Sequence, residues 1–200
     1  MLRSLVYTSG GAMRRVLRVL VIFMAAMLVD SAPRGALADQ ADLRLDPLFQ
    51  RLQSAASETD AAAVEQQIWQ IWIESDDSTV STLMREGMTA MSRGDYDGAL
   101  EQFNRMVDAA PEFAEGWNKR ATLHYYMGRY EASVLDIQQT LQLEPRHFGA
   151  LSGLGLIYDA LEQRKAAIRS FEAALEINPH LGGIRERIEQ LRQELEGRAT

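Results

Sequence analysis

Three consecutive stretches decide the fold: STVSTLMREGMTAMSRGDYDGALEQFNRMVDAAP (78–111), EFAEGWNKRATLHYYMGRYEASVLDIQQTLQLEP (112–145) and RHFGALSGLGLIYDALEQRKAAIRSFEAALEINP (146–179). Each ends on a proline, and Pro111, Pro145 and Pro179 stand 34 residues apart. Eight residues before each proline lie Phe103, Ile137 and Phe171, and twenty-four before lie Gly87, Ala121 and Gly155, so a large side chain recurs against a small one. Ala99, Ser133 and Ala167 form a third matching set, Leu83, Trp117 and Leu151 a fourth, and Ala90, His124 and Tyr158 a fifth. Recurrence at such a period signals stacked supersecondary units. The matching sites fall at helical spacing within two short segments, so each unit is a helix pair whose axes approach closely at the small residues.

These units resemble tetratricopeptide repeats, whose pattern is Trp-x2-Leu-Gly-x2-Tyr followed by Ala, Phe and Pro. The second copy has the tryptophan, Trp117, and the third has Leu154-Gly155-x2-Tyr158. The resemblance implies an all-α solenoid of three hairpins, 80–113, 114–147 and 148–181, covering about half the chain. Two departures stand out. Gly94 and Gly128 end the first helix of copies one and two, where a left-handed residue is wanted, but Glu162 holds that place in copy three. Arg164 replaces the tyrosine seen at Tyr96 and Tyr130. The third turn is therefore expected to be looser or differently shaped, with a less well packed corner.

Ahead of the repeats the chain reads as a leader. Arg14, Arg15 and Arg18 precede an unbroken apolar run from Val19 to Val29, and Ala36-Leu37-Ala38 offers small residues for cleavage after Ala38. That run has 11 residues, short of the roughly 20 that cross a bilayer, so a cleavable signal peptide over 1–38 is expected rather than an anchor. Either Met1 or Met13 could be the start, and the general secretory route is favoured over the twin-arginine one. With no cysteine in 200 residues there is neither a disulfide framework nor a lipidated thiol. After the leader, 16 basic residues face 27 acidic ones, a balance that disfavours nucleic acid and anionic lipid. Together these features lead us to expect a Gram-negative periplasmic protein.

Residues 39–79 form two expected helices. Leu45, Leu48, Phe49 and Leu52 share one face, and Val64, Ile68, Ile71 and Trp72 share another, separated by Ser57-Glu58-Thr59-Asp60 with its N-cap residues. The pair reads as an N-terminal cap or a degenerate fourth repeat, and Trp69 and Trp72 are expected to be buried against the first repeat. The competing reading leaves them exposed as a patch for dimerisation or a partner. Beyond Pro179, Ile184, Ile188, Leu191 and Leu195 make one stripe on a capping helix, 182–200.

Catalytic patterns are missing. His124, His147 and His180 match no zinc-protease motif, no metal or cofactor constellation is present, and Gly149-x2-Ser152-Gly153 misses the nucleophile elbow. His124 is expected to pack, and His147 and His180, in turns after the prolines, to be solvated. Gly153-Leu154-Gly155 lacks a third glycine and lies inside a helix, where close packing explains it.

Binding is the better supported role. The resemblance implies a groove lined by first-helix residues: Met84, Met88 and Met91, then Asn118, Thr122 and Tyr125, then Ser152, Leu156 and Asp159. Three methionines make a soft, adaptable surface, unless the preceding helix pair covers them. A clamp for a C-terminal carboxylate is not expected, because Met84 and Met88 supply no basic or amide groups, although Lys119 adjoins Asn118. The expected function is an exported scaffold that binds a protein or peptide segment on a free inner wall. The alternatives are a non-catalytic accessory subunit of a periplasmic enzyme assembly and a self-associating structural protein.

Overall fold

The computed structural model describes residues 42–197, and among them every regular element is an α-helix. The leader and the cleavage position after Ala38 lie outside the described residues. In order the helices are α1 (Leu45–Gln53), α2 (Glu58–Ile73), α3 (Ser78–Ser92), α4 (Tyr96–Ala109), α5 (Ala114–Tyr126), α6 (Tyr130–Leu143), α7 (Phe148–Ala160), α8 (Arg164–Ile177) and α9 (Gly182–Gly197). Local chemistry sets several starts. Asp77 accepts from the Thr79 amide at 2.6 Å, Asp95 from Gly98 at 3.0 Å and Ser57 from Asp60 at 3.2 Å, each satisfying an N-terminal donor that the helix itself cannot.

α3–α4, α5–α6 and α7–α8 are three hairpins. Within them Gly87 meets the ring of Phe103 and Gly155 the ring of Phe171 so closely that a Cβ on either glycine would collide with it. Ala121 and Ile137 make the same contact in the middle hairpin, with less bulk on one side and a methyl on the other. The hairpin turns are Schellman caps. Gly94 (φ 76°) donates to Met91 at 3.0 Å while Asp95 donates to Ala90 at 3.0 Å, and Gly128 (φ 69°) and Arg129 repeat this with Tyr125 and His124.

Glu162 departs from the expectation of a looser turn. It takes φ 57° itself, donates to Asp159 at 2.9 Å, and Gln163 donates to Tyr158 at 2.8 Å, so the third turn has the shape of the first two. Packing of the hairpin prevails over a left-handed penalty of about 1 kcal/mol. Arg164 likewise finds a use at its corner, donating to Glu194 of α9 at 2.6 Å. α9 closes the last hairpin with Ile188 and Leu191, which are buried against Ala167 and Phe171.

The N-terminal pair differs most from expectation. α1 and α2 zip together through Leu45, Leu48, Phe49 and Leu52 against Ala61, Val64, Ile68 and Trp72, but their apolar partners elsewhere are Phe148, Ile177 and Leu181, all in the third repeat. Trp69 and Trp72 are thus not buried against the first repeat, nor do they form an exposed patch. The physical reason is that the apolar faces of α1 and α2 meet their match at the turns preceding α7 and α9, where bulky side chains are already gathered.

The inner wall and the helix laid across it

The first helices α3, α5 and α7 present one face each: Met84, Met88 and Met91; Asn118, Thr122 and Tyr125; Ser152, Leu156 and Asp159. Their side chains are in very different states. Met84 and Met91 are half-buried against the first hairpin's core, and Met88 is exposed. No methionine belongs to the cluster built by α1 and α2. Asn118 is buried and donates to Glu115 at 2.9 Å, while its carbonyl accepts the Thr122 hydroxyl at 2.9 Å. Ser152 donates to the Phe148 carbonyl at 2.8 Å. Asp159 is gripped in two places by Arg187 of α9, at 2.6 and 2.7 Å. Tyr125 is half-buried in a cluster with Tyr126 and Tyr130. The polar members of the wall are therefore satisfied within the chain, and what faces outward is apolar and aromatic, above all Met88, Tyr126 and Leu156.

The other end of the wall, where α5 and α7 begin, is not free. Glu115, Asn118 and Lys119 share one face of α5, and α2 lies over it. Trp69 sits against Gly149, where an added Cβ would be 2.6 Å from the indole, and the Lys119 ammonium lies 5.4 Å from the same ring. Trp72 stacks on His147 with centroids 4.1 Å apart and planes 10° from parallel. Farther out Glu65 accepts from Asn178 at 2.9 Å, Gln53 donates to the Glu176 carbonyl at 3.4 Å, and Arg146 pairs with Asp46 at 2.6 Å. The expectation of an entirely free inner wall is corrected accordingly.

Beneath α2 is a fully buried carboxylate. Glu115 Oε2 is 2.9 Å from His147 Nε2, and Oε1 is 2.6 Å from the Lys119 ammonium. His147 Nδ1 accepts the Ala150 amide at 3.0 Å, capping α7, so the ring proton sits on Nε2 and is donated to Glu115. Burial by itself would push the Glu115 carboxyl up, but the His147 hydrogen bond and the Lys119 charge outweigh it and hold the group below the ordinary glutamate range. His147 is therefore not solvated, as its position after a proline suggested: it is completely buried, while His180 is half-buried. Lys119, the one basic group that could have served a carboxylate clamp, already has Glu115 as its counter-ion.

Sequence reasoning did not find Glu115, His147, Gly149 or Asn178, yet a signal existed in the repeat itself. His147 occupies the place held by Phe113 and Leu181, so a polar ring interrupts an apolar series. Asn178 follows Ala110 and Glu144, and Glu115 stands where the third copy has Gly149 and the capping helix has Gly183. Among the described residues no group of His, Asp or Glu is placed to hold a metal ion, and no helix is long and apolar enough to cross a membrane.

Comparison with known proteins agrees with this architecture. The tetratricopeptide repeat model matches residues 84–125 and 118–181. A TPR repeat-containing protein of Rhizobium etli is 33% identical over 157 residues, covering 78% of this chain and 77% of that one. Among solved structures, the first TPR domain of Spaghetti (RPAP3), bound to the HSP90 peptide SRMEEVD, superposes with a TM-score of 0.57 at 22% identity, over 60% of this chain and 95% of that one. MamA superposes with a TM-score of 0.55 at 20% identity, over 73% of this chain and 83% of that one. At these identities the structural likeness speaks for the fold.

Proposed function

The chain belongs to the tetratricopeptide repeat family, and from that premise we propose that it is an exported, non-catalytic scaffold that holds a protein or peptide segment on the open part of its inner wall. Its place is the periplasm, reached by removal of the leader after Ala38, and its service is the assembly or stabilisation of an envelope complex. The observation that carries this reading is the exposure of large apolar side chains in register on the first helices. Met88 is 41% exposed and Leu156, two repeats on at the same position, 40%. Exposed apolar side chains aligned along one face mark an interaction surface when they recur contiguously, and Tyr126, at 57%, adds an aromatic anchor beside them. The Spaghetti domain of the same fold holds its HSP90 peptide, which supports the use of such a surface for a peptide.

The wall's remaining chemistry suits an apolar or amphipathic segment, because its polar side chains have partners within the chain. A photo-crosslinking residue in place of Leu156 is expected to capture a defined envelope protein, identified by mass spectrometry. The same residue at Leu135, which is 62% exposed on α6, is expected to capture nothing in common with it. Equal capture from both positions, or capture from Leu135 alone, would remove the wall from the function.

A further inference from the structure

Two properties of α2 set it apart from the other helices. The first is where it is fastened: its neighbour in sequence is α3, yet its contacts reach Lys119, His147, Gly149 and Asn178, as far as 113 residues away along the chain, and two of these, Lys119 and His147, hold Glu115 beneath. Only Glu74–Asp77 joins it to α3, and the Asp77 cap of α3 involves Thr79 and Val80 alone, so α3 is complete without α2. The second is what lies beneath and around it. Of the nine polar or charged residues buried in the described chain, five (Glu115, Asn118, Glu144, His147 and Asn178) belong to the start of α5 and the turns before α7 and α9 on which α1 and α2 rest. The floor is mixed, since Phe148, Ile177 and Leu181 also meet α1 and α2, but its polar groups can be taken up by water when uncovered, which the apolar seams between hairpins do not offer.

α2 brings two tryptophans three residues apart, which turn the same way on a helix, and a glutamate one turn before the first. Gly149 makes room for Trp69, the flat ring of His147 receives Trp72, and the Asn178 amide meets Glu65. The Trp72 indole N–H has no hydrogen-bond partner in this seat, so Trp72 is held by its ring face.

We propose that the start of the inner wall, at Glu115, Lys119, His147 and Gly149, is a receptor for a helix bearing two tryptophans at this spacing, that α2 is its resident occupant, and that a partner helix of the same chemistry binds there by displacing α2. This rests on the reading of the wall as a binding surface, and it names the partner as an amphipathic helix. A helix tethered by so short a linker has an effective concentration on the order of millimolar, so the closed chain holds a competitor off in proportion to the fraction of time it is open.

The absence of cysteine from the chain allows a clean test. In the double variant Glu65→Cys, Asn178→Cys a disulfide would pin α2 in its seat, and reduction would release it. The probe is a fluorescein-labelled peptide of this chain's residues 57–74, titrated by anisotropy against the full chain. We expect no binding to the oxidised variant, binding on reduction that is at least tenfold tighter than to the unaltered chain, and loss of that binding when both tryptophans of the peptide are alanine. Equal binding to oxidised and reduced forms, or none to the reduced form, would overturn the proposal. Hydrogen exchange showing α3 to α9 protected in the reduced variant excludes simple unfolding as the cause. Crosslinking from Leu156 is independent of this seat, so failure here leaves the wider reading to be judged on its own experiment.

Discussion

At the scale of single residues, the fold depends on a few places where a side chain has no room to grow. Gly155 is one, because the ring of Phe171 occupies the space that a methyl would need. Gly155→Ala is expected to cost about 1–3 kcal/mol through overpacking, read as a lower urea midpoint. Gly182→Ala, with nothing near it, is expected to stay within about 0.5 kcal/mol. Glu115 makes a different kind of demand. The group's pKa is lower in the folded chain than in the unfolded one, since the His147 hydrogen bond and Lys119 outweigh the opposing effect of burial. As acid is added, the unfolded chain takes up the proton first, so the stability due to this group is whole above about pH 4.3. It drains away as the pH falls through the folded value. Urea midpoints measured from pH 7 to pH 3 should therefore fall more steeply below that point in the unaltered chain than in Glu115→Gln, and parallel curves would show that the carboxylate carries no such linkage.

At the scale of helices and turns, what was legible in the sequence follows from how local the physics is. The pairing of Phe103 with Gly87 and of Phe171 with Gly155 depends on residues 16 apart, and every copy repeats it, so the period exposes it. The caps at Asp77 and Ser57 are equally local. The shape of the third turn is not legible from Glu162 alone, because α7 and α8, joined where Phe171 meets Gly155, oblige the backbone to turn left whichever residue stands there. The docking of α1 and α2 was illegible for the opposite reason: it occurs once, over separations of about a hundred residues, and its marks are single interruptions of a pattern, such as His147 between Phe113 and Leu181. The stripe of α9, by contrast, is both local and periodic, and Leu191 is buried as its spacing suggests. Leu191→Ala is expected to cost about 2–5 kcal/mol and to do so unevenly. Amide exchange should quicken in α8 and α9 well before it does in α3 and α4, because a stacked array loses its end unit first.

At the scale of the described chain as a whole, α2 changes the kind of cooperativity available. Stacked hairpins that touch only their neighbours unfold approximately as a sum of units and the interfaces between them. Here Gln53 reaches Glu176, Glu65 reaches Asn178 and Asp46 reaches Arg146, so the two helices before the first hairpin are tied to the last one. Opening the third hairpin must then also release α1 and α2, and that coupling adds to the nearest-neighbour terms. The unaltered chain is accordingly expected to unfold in one transition, with tryptophan fluorescence and far-ultraviolet circular dichroism coinciding. In Trp69→Ala/Trp72→Ala the tie is cut on the α2 side while every contact between α3 and α9 is left in place. The denaturation followed by circular dichroism should broaden, its m-value should fall, and exchange should show α1 and α2 open under conditions where α5 to α8 remain protected. If the double variant kept the width and m-value of the unaltered chain and merely shifted its midpoint, the hairpins would already unfold as one body by themselves. α2 would then add stability to the molecule without governing how it comes apart.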